Sequence, residues 1–292
     1  MYRIFKSLEC TITALRDIPT THNMMKNYFI SRIQLRRQSN LALLRKKTGL
    51  PIIKCKEALT KFSNLEEAES WLEEEARKEG MQRVSLGRAT TNGVVALNII
   101  KQESMIRTTL IELNCETDHL SLSEEFRQLA AKICQLITNS SLSAGSLTPE
   151  NMLAVPQDNG LTALDAITRF VGRAKETTTL KRGAIHDARG DICIGSYVHN
   201  ALDLSSCDSV LKVGTHASFV EIERLEGESI DTQLLADQLA QHVVGMPQEG
   251  AEDKIETLLE QDWLFDLDRT VNSVLGSNQL KCVHFVRYQV GK

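Results

Sequence analysis

Between residues 41 and 80, apolar positions recur at the spacing of short amphipathic helices. A first helix at 41–47 is ended by the Thr-Gly and Pro that follow it, a second covers 54–62, and a third runs from about 65 to 77, with Gly80 placed to end it. Three short helices bury only a small core. The pattern therefore predicts a three-helix docking module at 41–80 rather than a catalytic body.

After this module the pattern becomes that of β-strands followed by a packed helix. Residues 94–100 and 108–115 are β-rich runs joined by a short polar segment, which predicts a hairpin. An apolar stripe then predicts a helix at about 124–137, with Ser121 and Glu124 as its capping box.

A second arrangement of the same kind follows. Its predicted elements are strands at 191–198, 209–213 and 219–223 and a helix at 232–245. The strand at 219–223 echoes the earlier run at 110–114. Two such copies predict an α+β core at 93–292 made of two related subdomains, about 93–187 and 188–292. Common elements also recur by chance, so the pattern leaves the duplication itself open.

The rest of the chain adds a linker and a C-terminal extension of the core. The basic stretch at 81–92 is predicted to be a linker, 252–261 a short acidic helix, and 281–290 a last strand. Alternation along that strand places Cys282 and His284 on the same face.

Composition and charge limit the functional classes. The chain has 292 residues, 42% hydrophobic and 25% charged, as in an ordinary globular protein, and it has no run of 18 apolar residues. Its net charge of −4 is uneven, because the first forty residues hold seven Lys or Arg against two acids. The acidic remainder disfavours binding to a phosphate backbone. Neither direct nucleic-acid binding nor membrane insertion is predicted.

The basic, acid-poor start of the chain resembles a mitochondrial transit peptide. We predict this peptide at 1–38, with processing near the paired Arg36 and Arg37. An unstructured basic tail has the same composition and remains the alternative.

The sequence predicts no metal and no cofactor. Its seven cysteines lie far apart, without the Cys-x-x-Cys or His-x-x-x-His spacing of a zinc site, and their odd number argues against a disulfide framework. Gly87 and Gly93 suggest a phosphate loop, but the Lys-Ser/Thr that such a loop requires is missing.

Two stretches resemble the signatures of the elongation factor Ts family. Residues 44–59 (Leu-Arg-Lys-Lys-Thr-Gly-Leu-Pro-Ile-Ile-Lys-Cys-Lys-Glu-Ala-Leu) resemble its opening signature. Residues 112–120 (Glu-Leu-Asn-Cys-Glu-Thr-Asp-His-Leu) resemble its Glu-apolar-Asn-Cys-Glu-Thr-Asp-Phe-Val. Residues 285–291 are similar to its final strand, and 241–244 to its His-Val-Ala helix. The likeness follows the family's order from about residue 41 onwards.

The resemblance implies an α+β fold with an N-terminal three-helix ubiquitin-associated-like domain followed by a two-subdomain exchange core. The acidic segment 248–262 is short where bacterial members carry a long helical hairpin, which resembles the mitochondrial branch and argues against dimerisation through that hairpin. The implied activity is non-enzymatic. It is guanine nucleotide exchange, in which GDP is released from elongation factor Tu in the mitochondrial matrix within a one-to-one complex.

The resemblance also implies a wedge that displaces Mg²⁺ and GDP from elongation factor Tu. It is carried by Thr117, Asp118, His119 and Leu120, where His119 replaces the family's Phe and Leu120 its Val. Because an imidazole buries less apolar surface than a phenyl ring and titrates near pH 6.5, a weaker and pH-sensitive wedge is expected. By residue type alone, Asp118 fits a helix N-terminal cap or a turn residue better, and only the surrounding signature favours the wedge.

Other contacts with elongation factor Tu are implied for Arg45, Ile52, Ile53 and Lys56 of the helical module and, more weakly, for His242 of the core. Solvated charges and packing in a small core account for the first four residues equally well. A partly buried helix histidine accounts at least as well for the last.

Two other functions remain open. A diverged relative that binds elongation factor Tu without exchanging its nucleotide is favoured by His119. An enzyme using Cys115 and a histidine is the other, but no orienting Asn or Asp pattern supports it, so no catalytic residue is predicted.

Overall fold

The computed structural model describes residues 40–102, 104–157, 160–225, 232–247 and 254–292. The predicted transit peptide at 1–38 lies outside the described residues, as do positions 252 and 253 of the predicted acidic helix. Contacts between Cα atoms divide the chain into two units, Met1–Glu75 and Ala76–Lys292.

The first unit contains the predicted short helices. They are α1 (40–48), α2 (Ile52–Lys61) and the beginning of α3 (Leu65–Ser85). Helix α1 ends at Gly49, whose φ of 68° is the left-handed conformation that glycine adopts most easily. The small core consists of buried side chains from all three helices and the turn between the first two: Leu44, Leu50, Cys55, Ala58, Ala68 and Leu72.

Helix α3 is longer than the sequence predicted. It continues through Gly80 to Ser85, so the predicted end near residue 77 and the linker beginning at 81 are wrong. Gly80 instead lets α3 lie close to α7 (Ala163–Ala174), since a Cβ at this glycine would come within 1.7 Å of the carbonyl oxygen of Thr168. The irregular connection is therefore restricted to residues 86–91.

The second unit continues with eleven strands among the described residues. They are β1 (Asn92–Gln102), β2 (Met105–Cys115), β3 (Gly145–Leu147), β4 (Thr178–Ala188), β5 (Ile192–His199), β6 (Leu202–Asp203), β7 (Ser209–Gly214), β8 (His216–Arg224), β9 (Asp262–Trp263), β10 (Asp266–Thr270) and β11 (Leu280–Gln289). Its other described helices are α4 (Asp118–Leu122), α5 (Glu124–Thr138), α6 (Pro149–Leu153), α8 (Thr232–Gly245), α9 (Ile255–Glu260) and α10 (Val271–Ser277).

Two antiparallel sheets form the centre of this unit. One has the strand order β3-β4-β2-β1-β7-β6, and the other has the order β11-β8-β5. Alternate residues of β1 face α5 or the second sheet, as Val94 and Val95 illustrate. The far face of the second sheet packs against α8. The core is thus helix, sheet, sheet and helix in four layers, an α+β fold as predicted.

The two sheets repeat one arrangement. In the first, β1 pairs with β2, α5 follows β2, and the later strand β4 pairs with the free side of β2. In the second, β5, β8, α8 and β11 stand in the same relation. This recurrence in order and pairing favours internal duplication over chance.

Three details differ from the sequence predictions. Strand β7, predicted within the second copy, pairs instead with β1 in the first sheet. Strand β4 was not predicted. A bulge between Cys282 and His284 shifts the register of β11, so Cys282 faces α8 and does not share the face of His284.

Within the described ranges, no helix is both long enough and apolar enough to cross a membrane.

Candidate functional site

The predicted wedge lies at the junction between the end of β2 and the helices α4 and α5. Thr117 is the N-cap of α4, because its Oγ1 accepts the backbone N–H of Leu120 at 3.2 Å. The carboxylate of Asp118 accepts only the adjacent N–H of His119, at 2.8 Å, among the hydrogen bonds that the structure describes. The helix-cap alternative for Asp118 is therefore wrong, since Thr117 has that role.

The side chains of this junction divide into an exposed face and a buried base. Asp118 and His119 are exposed, whereas Leu120 is half-buried and packs against the core beneath α5. Leu122 is 64% exposed, although it is a large apolar residue. It lies three and four positions after His119 and Asp118, so all three share one face of α4. We call Asp118, His119 and Leu122 the exposed tip.

Two carboxylates hold the base of this junction. Glu116 accepts the backbone N–H of Thr177 at 2.7 Å and lies 3.4 Å from the guanidinium of Arg88. The hydrogen bond from Thr177, with a further contribution from Arg88, holds the pKa of Glu116 below its usual range. The hydroxyl of Thr117 donates to Glu176 at 2.8 Å. The exposed tip therefore projects from an anchored turn.

Two neighbouring residues, Ser123 and Cys115, bear on the other predictions for this junction. Ser123, rather than the predicted Ser121, is the N-cap of α5 and accepts the N–H of Phe126 at 3.3 Å. Cys115 is buried, and burial, with a smaller contribution from Glu176, raises the pKa of its thiol to about 12. Such a thiol stays protonated at neutral pH and is a poor nucleophile.

The predicted residues of the helical module are exposed as well. Ile53 is 75% exposed and Ile52 is 42% exposed in the first turn of α2. Lys56 lies three and four positions later and is also exposed, so these three side chains share one face of that helix. The predicted Arg45 is exposed on α1. The structure therefore places two exposed isoleucines and a lysine together on one face of α2.

The structure corrects the prediction for His242. Its side chain is fully buried and stacks on Trp263, with ring centroids 5.4 Å apart. Nδ1 accepts the N–H of Leu264 at 3.2 Å, so Nε2 carries the proton and donates to Gln261 at 2.9 Å. This histidine joins α8 to the segment after α9 and is not placed to contact a partner.

Lowering the pH is expected to destabilise the fold, and His242→Gln is expected to reduce that loss. In the unfolded chain histidine binds a proton near pH 6.5, whereas burial lowers the pKa of folded His242 despite the hydrogen bond to Gln261. Its contribution is therefore complete above pH 6.5 and falls by up to about 1.4 kcal/mol per pH unit as the pH drops towards the folded pKa.

Thermal or urea unfolding between about pH 7.5 and 5.5 measures this effect. His216 and His284, whose pKa values are also lowered mainly by burial, contribute in the same direction and remain in the variant. The variant should thus retain part of the pH dependence. Equal pH dependence in both proteins would show that His242 does not contribute.

Sequence reasoning missed three residues of the site. Leu122 follows Asp118 at helical spacing, but a helix of five residues gives no periodic signal. Glu116 belongs to the signature yet had no assigned role. Glu176 is 59 positions from its partner Thr117, so only the pairing of β2 with β4 brings the two together.

Comparisons with known proteins agree with this α+β fold. The family model described as "Elongation factor Ts, mitochondrial, N-terminal" matches residues 23–82, and the model "Elongation factor TS" matches residues 116–256. Among curated relatives, "Elongation factor Ts, mitochondrial" of Bos taurus is 31% identical over 277 residues, covering 86% of this chain and 79% of the relative. The protein of that name from Homo sapiens is 30% identical over 275 residues, covering 86% and 82%. That of Nematostella vectensis is 31% identical over 293 residues, covering 87% and 99%.

All of these matches bear the name of a translation elongation factor. The chain belongs to the elongation factor Ts family, in its mitochondrial branch.

Proposed function

We propose that the chain is a guanine nucleotide exchange factor that binds elongation factor Tu with GDP in the mitochondrial matrix and promotes GDP release. The observation that carries the proposal is the exposed tip, in which an acidic residue, an imidazole and a leucine project from an anchored turn. The tip lies within the stretch that resembles the family's wedge signature. Thr117 and Leu120 form the base of this wedge.

Exchange requires that the factor bind two states of elongation factor Tu with different affinities, and no covalent bond is made or broken. The exchange factor binds nucleotide-free elongation factor Tu more tightly than the GDP-bound form. By linkage, the affinity of elongation factor Tu for GDP then falls by the same ratio. Each tenfold loss of GDP affinity needs about 1.4 kcal/mol of that difference. A tip that reaches the Mg²⁺ and phosphate-binding region of the partner supplies it locally.

The helical module supplies affinity for the same partner. Arg45 and Lys56 offer two positive charges, and Ile52 and Ile53 offer apolar surface already exposed to water. Covering an exposed isoleucine gains hydrophobic free energy without disturbing the core of the module. We propose a one-to-one complex held by this surface together with the core, and a transit peptide at 1–38 that delivers the chain to the matrix.

The release of a fluorescent GDP analogue from elongation factor Tu tests the proposal. The preloaded partner is mixed in a stopped-flow instrument with the purified chain and an excess of unlabelled GDP. The observed rate should rise with the concentration of the chain and then saturate. A rate that stays at the spontaneous value at every concentration would refute exchange activity.

Binding without exchange is the second candidate, and His119 in place of phenylalanine favours it. Calorimetry on the same samples separates the two functions. Binding together with an unchanged release rate would support the second candidate, whereas neither binding nor release would refute both. The buried, protonated Cys115 argues against an enzyme that uses this thiol.

A further inference from the structure

Two turns meet beneath the exposed tip because of the sheet pairing. Strands β2 and β4 are antiparallel neighbours, and Cys115 at the end of β2 pairs with Thr178 at the start of β4. The turn that leaves β2, at 116–117, therefore lies beside the turn that enters β4, at 175–177.

Each turn contains a carboxylate that accepts a hydrogen bond from the other turn. Glu116 accepts the N–H of Thr177, and Glu176 accepts the hydroxyl of Thr117. The second bond fixes where the hydroxyl proton of Thr117 points. With that proton directed at Glu176, the Thr117 oxygen accepts the N–H of Leu120 and begins α4.

The turn before β4 is itself held in an uncommon conformation. Lys175 has a φ of 63°, which a residue with a side chain adopts at a cost, and it caps the end of α7. Its ammonium group forms an ion pair with Glu79 of α3. The conformation of Lys175 and its ion pair thus fix the direction of the backbone immediately before Glu176.

We propose that Glu176 is a positioning residue for nucleotide exchange and acts through the hydroxyl of Thr117. The inference rests on the proposed function. By holding the N-cap of α4, Glu176 keeps Asp118 and His119 in one orientation before the partner arrives. A pre-oriented tip does not need to be ordered during displacement of the nucleotide.

The pair Glu176→Met and Glu176→Gln tests this role in the GDP-release assay. Methionine has a similar size but no strong acceptor, whereas glutamine keeps an oxygen that accepts the Thr117 hydroxyl. We expect Met to lower the maximal release rate about tenfold and to change the half-saturating concentration less than about twofold. Glutamine should retain a rate within about twofold of the wild type.

Two further variants separate positioning from general stability. Thr117→Val removes this hydrogen bond and also the N-cap bond to Leu120, so adding Glu176→Met to Thr117→Val should cause no loss of rate beyond that of Thr117→Val alone. Thr162→Val removes a comparable N-cap hydroxyl, which bonds to Asp165 at 2.9 Å at the beginning of α7. It should lower the melting temperature and leave the maximal release rate unchanged.

The outcomes are distinct. A wild-type chain that releases no GDP refutes the proposed function itself. Exchange by the wild type together with wild-type rates in Glu176→Met overturns the positioning role and leaves the function intact. An equal loss of rate in Thr162→Val, with circular dichroism confirming folded proteins, would also overturn it, because general stability would then explain the effect.

Discussion

Replacing His119 with alanine is expected to slow GDP release from elongation factor Tu about tenfold, and replacing it with phenylalanine to accelerate release about fivefold. His119 is exposed beside Asp118 at the start of α4, so neither change removes a side chain from the core. Complete burial of a phenyl ring contributes about 1.5–3 kcal/mol. An imidazole contributes less, because its two nitrogen atoms lose water when they are buried.

These changes are expected to act on the rate because, in the proposed function, the tip acts on the complex that is losing its nucleotide. Apolar surface that becomes buried only as GDP leaves stabilises the nucleotide-free complex relative to the filled one. An additional 1 kcal/mol or so at this step corresponds to about a fivefold change. For His119→Phe, this additional free energy should also appear as weaker GDP affinity in the ternary complex.

Stopped-flow release at saturating concentrations of the chain measures the effect. His199, an exposed histidine at the end of β5, provides the matched control, and His199→Ala and His199→Phe should both release GDP at the wild-type rate. Unchanged release by His119→Ala would remove this residue from the mechanism. Faster release by both His119 variants would argue against an apolar wedge.

Local periodicity predicted those elements that have one buried and one exposed face. Helix α5 and helix α8 were predicted close to their observed bounds because each presents an apolar stripe to one sheet. Strand β4 was missed because its register shifts opposite Glu112 and Leu113, around the exposed Lys181, which interrupts the alternation. No local pattern states which strands pair, so β7 was predicted in the wrong sheet.

The site shows the same division between local and long-range information. The residues 117–120 were placed at a strand–helix junction from the neighbouring pattern and the family resemblance. The partner of Thr117, Glu176, depends on strand pairing and was not predictable from spacing. His242 was misjudged because an apolar helix face is compatible with a buried histidine only when both ring nitrogens find partners, and those partners lie beyond α9.

Replacing Ile53 with alanine is expected to weaken binding to elongation factor Tu about tenfold or more. Ile53 is 75% exposed, so the free chain loses little stability when the side chain is shortened. In the complex, a covered isoleucine contributes about 1.5–3 kcal/mol, and alanine forfeits most of it. Calorimetry with elongation factor Tu and GDP measures the change. Leu267 of β10, 67% exposed, is the matched control, and Leu267→Ala should bind like the wild type.

The kinetic signature of Ile53→Ala should be opposite to that of the wedge variants. In the proposed function the helical module contributes affinity in both the filled and the empty complex, so the half-saturating concentration should rise while the maximal release rate stays unchanged. His119→Ala and Glu176→Met should instead lower the maximal rate. A fall in the maximal rate for Ile53→Ala would mean that docking and displacement are not separable, and unchanged affinity would place Ile53 outside the interface.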